Sequence, residues 1–280
     1  MELISGHEFD LELPSGRVHA QRFGAPDAPL AVGVHGLSAN MHAFDRLGPH
    51  LADRGLQVVA IDLRGRGLSE TSPPGTYGIE SHARDVLDIA QALGHERFAV
   101  LGWSLGALVG MQVAQMHEGR LRQLVLIDHA GRADADAVVT IRAGLDRLDA
   151  VVPSEEAYVG AIRAAGLAAP WDPLWERLYR YELRPAANGF TARTSKAAAL
   201  EDLDAAAAMD VHALWSAIDV PTLLVRAVVA LPGGLIVPDS EAEALCAAVP
   251  QVRVVEVDRN HWGVVTDPGA AEAIADFLSA

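Results

Sequence analysis

An α/β architecture, with a mostly parallel central sheet and helices on both of its faces, is what this sequence predicts. Three observations predict it. Short apolar runs alternate with helix-length segments through the first half of the chain. Runs such as Leu30–Val34 and most of Gln57–Ile61 are continuously apolar, as strands covered on both faces are. The 280 residues, half of them apolar, suffice for one large core or for one core carrying an insertion.

In order, Glu8–Leu13 and Arg17–Phe23 alternate apolar and polar around Pro14-Ser15-Gly16, the pattern of an antiparallel hairpin at a sheet edge. Leu30–Val34 is a buried strand ending in His35-Gly36-Leu37-Ser38, and a helix is expected over about Phe44 to Arg54. Gln57–Ile61 is the next strand, followed by Asp62-Leu63-Arg64-Gly65-Arg66-Gly67-Leu68-Ser69 and then by an amphipathic helix from Ile79 to Leu93. The apolar, β-prone run Arg97–Leu101 leads into Gly102-Trp103-Ser104-Leu105-Gly106 and a small-residue helical run, Ala107–Met116. Leu121–Ile127 is a sixth strand, ending in Asp128-His129-Ala130-Gly131.

The alternation then stops. Residues 132–215 are helix-prone and alanine-rich, with no convincing strand, and carry Trp171, Trp175, Tyr179 and Tyr181 near helical spacing. Aromatics so spaced belong to packed helices, so this segment reads as a helical insertion rather than a linker. The strand pattern resumes over Val220–Arg226, followed by a loop at Ala227–Val237, a helix at Ser240–Ala248, a last strand at Val252–Val257, Asn260-His261-Trp262 and a terminal helix from Pro268 to Ser279.

Composition narrows the function. With 37 acidic against 22 basic residues the net charge is −15, which repels phosphate backbones and anionic lipid, so no nucleic acid and no membrane partner is expected. The basic residues are arginines apart from Lys196, which reads as compositional bias rather than a binding face. One cysteine, Cys246, excludes an intrachain disulfide and reads as a small buried residue in a helix. No His, Cys and carboxylate spacing suits a metal, and no cofactor is implied. Neither a signal-peptide pattern nor an apolar run of about 18 residues is present, so a cytoplasmic location is expected. A homo-oligomer is compatible with the sequence, which does not specify one.

Gly-x-Ser-x-Gly is common by chance, but here it sits between a strand and a helix. That is the setting of a nucleophile elbow, where the chain turns so sharply that only glycine fits beside an exposed serine. A serine hydroxyl is protonated at neutral pH and needs a base within hydrogen-bond reach. His261 follows the last strand, which returns it to the sheet edge where Ser104 sits, and is the candidate base. Of the 11 histidines, His7, His19, His42, His50, His82, His95, His117 and His212 lie in polar or helical settings and read as surface residues.

The His35-Gly36 turn, the Asp62-x-Arg64-Gly65-x-Gly67-x-Ser69 segment, the Gly102–Gly106 elbow, the Val220-Pro221-Thr222 strand and His261 together make the chain resemble the α/β-hydrolase superfamily over essentially its whole length. The resemblance implies the α/β-hydrolase fold with a helical lid inserted after strand six: a core domain of residues 1–131 and 216–280, and a lid of residues 132–215. It implies backbone N–H groups of Leu37 and Leu105 as the oxyanion hole, His35 as a residue shaping the turn before it, and a structural role for the Asp62 to Gly67 segment. Most members carry the triad acid after the seventh strand, yet Ala227–Val237 holds no carboxylate. Asp239 comes next, where it also suits a helix N-terminus. Asp128, ending the sixth strand beside the elbow, is favoured as the acid, as in lactonases that open zearalenone-like macrolactones.

The expected activity is that of a serine hydrolase cleaving a carboxylic ester or lactone of a fairly apolar substrate through an acyl-enzyme. Trp103, Trp262, Trp171 and Trp175 are candidate substrate contacts. The same triad could serve C–C bond hydrolysis or cofactor-free peroxidation, and a non-catalytic ligand receptor is the alternative from another class. Epoxide hydrolases and haloalkane dehalogenases need an aspartate where Ser104 stands.

Overall fold

A computed structural model describes residues 3–117 and 119–280. An eight-stranded sheet runs through the molecule in the order β1 (His7–Leu13), β2 (Gly16–Phe23), β4 (Gln57–Ile61), β3 (Leu30–Val34), β5 (Phe98–Trp103), β6 (Leu121–Ile127), β9 (Thr222–Ala227) and β10 (Val252–Val257). β1 pairs antiparallel with β2 and β2 with β4; the other pairs are parallel.

Because successive strand residues point to opposite faces, each strand feeds two cores. Leu30, Val32 and Val34, with Val100, Leu124 and Leu224, join one cluster, which contains residues of α2 (Ile79–Ala92) and α3 (Leu105–Met116). Ala31, Leu101, Val125 and Val225 join the other, against α1 (Leu47–Ala52) and α10 (Pro268–Ser279). Every residue of β3, β4 and β5 is buried, which is why those runs carry no polar alternation. α1 starts at Leu47 rather than Phe44, and Met41–Phe44 forms a separate 3-10 turn. Pro49 lies in the first turn of α1, where its missing N–H costs nothing.

The segment between β6 and β9 holds α4 (Ala135–Gly144), a 3-10 turn at Leu145–Asp149, α5 (Glu155–Ala165), α6 (Pro173–Tyr181), α7 (Lys196–Ala208) and α8 (Val211–Trp215). It is not strandless as expected: β7 (Leu183–Ala186) and β8 (Gly189–Ala192) form an antiparallel hairpin. The turn Ala187-Asn188 followed by Gly189, at φ +132, is the short-range signal that marks it. α9 (Asp239–Ala248) lies between the last two strands of the sheet. Cys246 on α9 is exposed, not buried. Among the described residues no helix is long and apolar enough to cross a membrane.

Four histidines read as surface residues are buried: His19, His42, His82 and His117. Each has a carboxylate partner, Asp10, Asp45, Asp202 and Asp219 respectively, and these polar contacts compensate the burial. The partners of His19, His82 and His117 lie far away or across a turn, which is why local pattern misses them.

Candidate active site

Ser104 stands between β5 and α3 at φ 57 and ψ −117, a conformation costly for a residue with a side chain. Only it and Asp128 (φ 49) combine positive φ with a side chain among the described residues. The surroundings over-determine this geometry. A Cβ on Gly102 would overlap the Gly106 carbonyl, and one on Gly106 would overlap the Val34 carbonyl at the end of β3. The Ser104 N–H donates to Ile127 O at 2.9 Å, tying the elbow to β6.

His261 comes back to this edge after β10. Its Nε2 lies 2.9 Å from Ser104 Oγ, and its Nδ1 lies 2.8 Å from Asp128 Oδ2. Asp128 is pinned in turn: its N–H donates to Val225 O at 2.8 Å, and its Oδ1 accepts from the Ala227 N–H at 3.0 Å. All three side chains are buried. The Trp103 indole donates to the His261 carbonyl at 3.1 Å. Asn260 Oδ1 accepts from the N–H groups of Trp262 and Gly263, while its Nδ2 donates to Leu167 O in the inserted segment.

Asp239 is elsewhere. Its side chain is 80% exposed in the first turn of α9, where it pairs with the Arg226 guanidinium. Of the two candidate acids, only Asp128 lies within hydrogen-bond reach of His261.

Gly36 brings the loop after β3 close to the elbow: a Cβ there would sit 3.1 Å from Ser104 Cβ. Among the described residues the N–H groups of Leu37 and Leu105 donate to no protein acceptor. His35 holds the loop from beneath, donating from Nδ1 to Gly36 O at 2.7 Å and accepting the Leu63 N–H at Nε2 at 3.1 Å. Burial pushes His35 down to about 3, so it is neutral. Unfolded, it would take up a proton below about 6.5. A folded value below the unfolded one means stability is complete above pH 6.5 and is lost as pH falls from there toward 3. Denaturant titrations of wild type and His35→Gln between pH 6.5 and 4.5 should therefore differ in slope, the wild type falling more steeply by up to about 1.4 kcal/mol per pH unit. Parallel curves would contradict the assignment. Beside the site, burial and the neighbouring His261 push His129 down to about 4.

The Asp62 to Gly67 segment organises the turn after β4. Asp62 accepts the Met41 and Leu68 N–H groups, each at 2.9 Å, and the Tyr181 hydroxyl at 2.6 Å. Arg64 pairs with Asp85, and the fully buried Arg66 pairs with Asp202 of α7 while donating from Nε to Leu37 O. A Cβ on Gly67 would overlap the Asp62 carboxylate.

The cleft over Ser104 and His261 is lined by Leu37, Trp103, Trp175, Tyr179, Trp262 and Arg147, among others. Trp171 is not among them: it is held on the side of the insertion, with the Arg163 guanidinium 5.6 Å from its ring. Arg147 is the residue the sequence reading missed. It sits in a short Leu-Asp-Arg-Leu-Asp turn that looks like solvated charge, yet it donates to Glu182 Oε1 at 3.0 Å and to Ser38 Oγ at 3.1 Å. Burial pushes the Glu182 carboxyl up, against the opposing pull of Arg147 and the Tyr158 hydroxyl. Among the described residues no group of His, Cys and carboxylates could hold a metal ion.

Comparison with known proteins places the chain in a family. Over 256 residues the chain is 29% identical to a putative carbamate hydrolase, RutD, of Agrobacterium fabrum, covering 90% of this chain and 91% of that protein. It is 33% identical over 218 residues to a pimeloyl-[acyl-carrier protein] methyl ester esterase of Neisseria meningitidis, covering 75% of this chain but only 64% of the esterase. The crystal structure of an E-2-(acetamidomethylene)succinate hydrolase superposes with a TM-score of 0.88 at 21% identity, covering 98% of this chain and 99% of that one, a likeness of fold. A family model described as the alpha/beta hydrolase fold matches residues 32–268. The chain belongs to the α/β-hydrolase fold family and is an enzyme of the hydrolase type.

Proposed function

We propose that this enzyme is a serine hydrolase that cleaves a carboxylic ester or lactone through an acyl-enzyme, with Ser104, His261 and Asp128 as its triad. The observation that carries the reading is the unbroken chain of hydrogen bonds from Ser104 Oγ through His261 to Asp128. In it, His261 Nε2 accepts the serine proton as Oγ attacks the carbonyl carbon, then returns it to the leaving alcohol oxygen. Asp128 holds Nδ1–H and stabilises the imidazolium without itself taking the proton. The N–H groups of Leu37 and Leu105 receive the oxyanion, one such donor being worth about 3 kcal/mol in comparable enzymes. Water then repeats the sequence on the acyl-enzyme, with His261 as its base, releasing the acid and Ser104.

Residues 132–215 serve as the lid of this site: Arg147, Trp175 and Tyr179 come from them and close the cleft above the core residues 1–131 and 216–280. A fluorophosphonate probe tests the reading. Stoichiometric labelling of Ser104, seen by peptide mass mapping, with turnover of short-chain nitrophenyl esters, is the expected result, and Ser104→Ala takes up no label. A wild-type protein that neither labels nor turns over ends the proposal.

A further inference from the structure

Two residues that line the cleft each hold a buried donor atom without a protein partner. Trp175 is fully buried, and its indole Nε1–H has no acceptor among the described residues. Arg147 Nε is buried and likewise without an acceptor, although the rest of the guanidinium is engaged: one terminal nitrogen reaches Glu182, Ser38 Oγ and Ser38 O, and the other reaches Gly144 O. Buried donors are nearly always satisfied, and leaving one orphaned is costly, so each calls for an explanation. A single explanation covers both. They stand in one cleft with Ser104 and His261, and both are donors. One of them belongs to a cation. What fits is an acceptor oxygen bearing negative charge.

We infer that the substrate of this site carries a carboxylate in addition to its scissile ester or lactone bond, and that Arg147 and Trp175 are the specificity-determining residues that receive it. The inference rests on the hydrolase reading above, whose substrate it names more closely. The ion pair with Glu182 explains how a cation can wait in a half-buried position: Glu182 keeps Arg147 charged and oriented, and is itself held by the Tyr158 hydroxyl at 2.8 Å. With a net charge of −15 the molecule as a whole repels anions, so acceptance of one depends on this local cation.

The test separates binding from chemistry. On Ser104→Ala, affinities at neutral pH are measured by calorimetry for monomethyl succinate, glutarate and adipate, and for their neutral dimethyl counterparts. At least one half-ester is expected to bind about tenfold or more tightly than its diester, as a charge-assisted hydrogen bond implies. Trp175→Phe, made in that background, should reduce the preference by about tenfold. Arg147→Met combined with Glu182→Gln, which leaves no lone buried charge, should abolish it. Equal or weaker binding of every half-ester, binding of neither set, or a preference that survives the Arg147→Met/Glu182→Gln change overturns the inference. If wild type labels at Ser104 and turns over neutral esters without this preference, the carboxylate site fails while the hydrolase reading stands. If the preference holds without labelling, the converse is true.

Discussion

Asp128→Asn is expected to lower kcat on nitrophenyl esters by about 10⁴-fold, the cost of stabilising the wrong histidine tautomer in a serine triad. Asp239→Asn is expected to retain most of the activity. The contrast is sharp because both aspartates were eligible on sequence grounds. Asp128 Oδ2 lies 2.8 Å from His261 Nδ1, whereas Asp239 faces solvent beside Arg226. An asparagine at 128 can still accept from the Ala227 N–H through its carbonyl oxygen, so its backbone anchor survives. It then presents an NH₂ donor to Nδ1, which favours protonation at Nε2 and leaves Ser104 facing a nitrogen that cannot accept its proton. Steady-state kinetics with thermal melts of both variants check this. The reverse ranking, with folded proteins, would move the acid to Asp239 and leave the contacts of Asp128 purely structural.

What the sequence made legible follows from how local each signal is. β3, β4 and β5 are readable because burial on both faces leaves them apolar apart from Gln57 at the start of β4. The elbow is readable because a sharp turn restricts Gly102 and Gly106 within five residues of chain. His261 follows from strand order, since parallel strands gather their carboxyl ends along one edge. Asp128, by contrast, is favoured over Asp239 only because the loop Ala227–Val237 holds no carboxylate. Arg147 was not readable. Its significance depends on Ser38, Glu182 and the cleft, all far from it along the chain, while its neighbours Asp146 and Asp149 disguise it as surface. The expectation of a fairly apolar substrate rested on tryptophans counted as rings. Trp175 supplies a ring to the cleft, and it also supplies an unpartnered N–H, which residue type alone does not show. His82 illustrates the same limit. Its position on α2 reads as a solvated helix face until α7 brings Asp202 against it.

The same Asp202 carries the largest expected loss of stability, through its pair with Arg66. Asp202→Ala should destabilise the fold by about 3–5 kcal/mol, because it strips a buried cation of its counter-ion. Arg66 and Asp202 lie 2.6 Å apart, and neither side chain is reached by solvent. Burial alone would raise the Asp202 carboxyl, but Arg66 and His82 together hold it below the usual carboxylate range. Asp202 also accepts the Gly78 N–H at 2.6 Å, at the entry to α2. Against a typical total stability of about 5–15 kcal/mol, such a loss is a large fraction. Glu80→Ala is the control: its pair with Arg84 is well exposed on both sides and should be worth only about 0.5 kcal/mol. Guanidinium denaturation of the two variants makes the comparison, and equal midpoints would refute the claim that the buried pair is uncompensated once broken. The consequence reaches the active site, because Arg66 Nε also holds the Leu37 carbonyl at 3.1 Å. An Asp202→Ala protein that remains folded in mild conditions should therefore lose turnover as well. Once Arg66 is free to turn toward water, the loop presenting the Leu37 N–H loses the contact that steadies it from behind. A residue of the inserted segment on α7 thus secures, through Arg66, the core loop that carries Leu37.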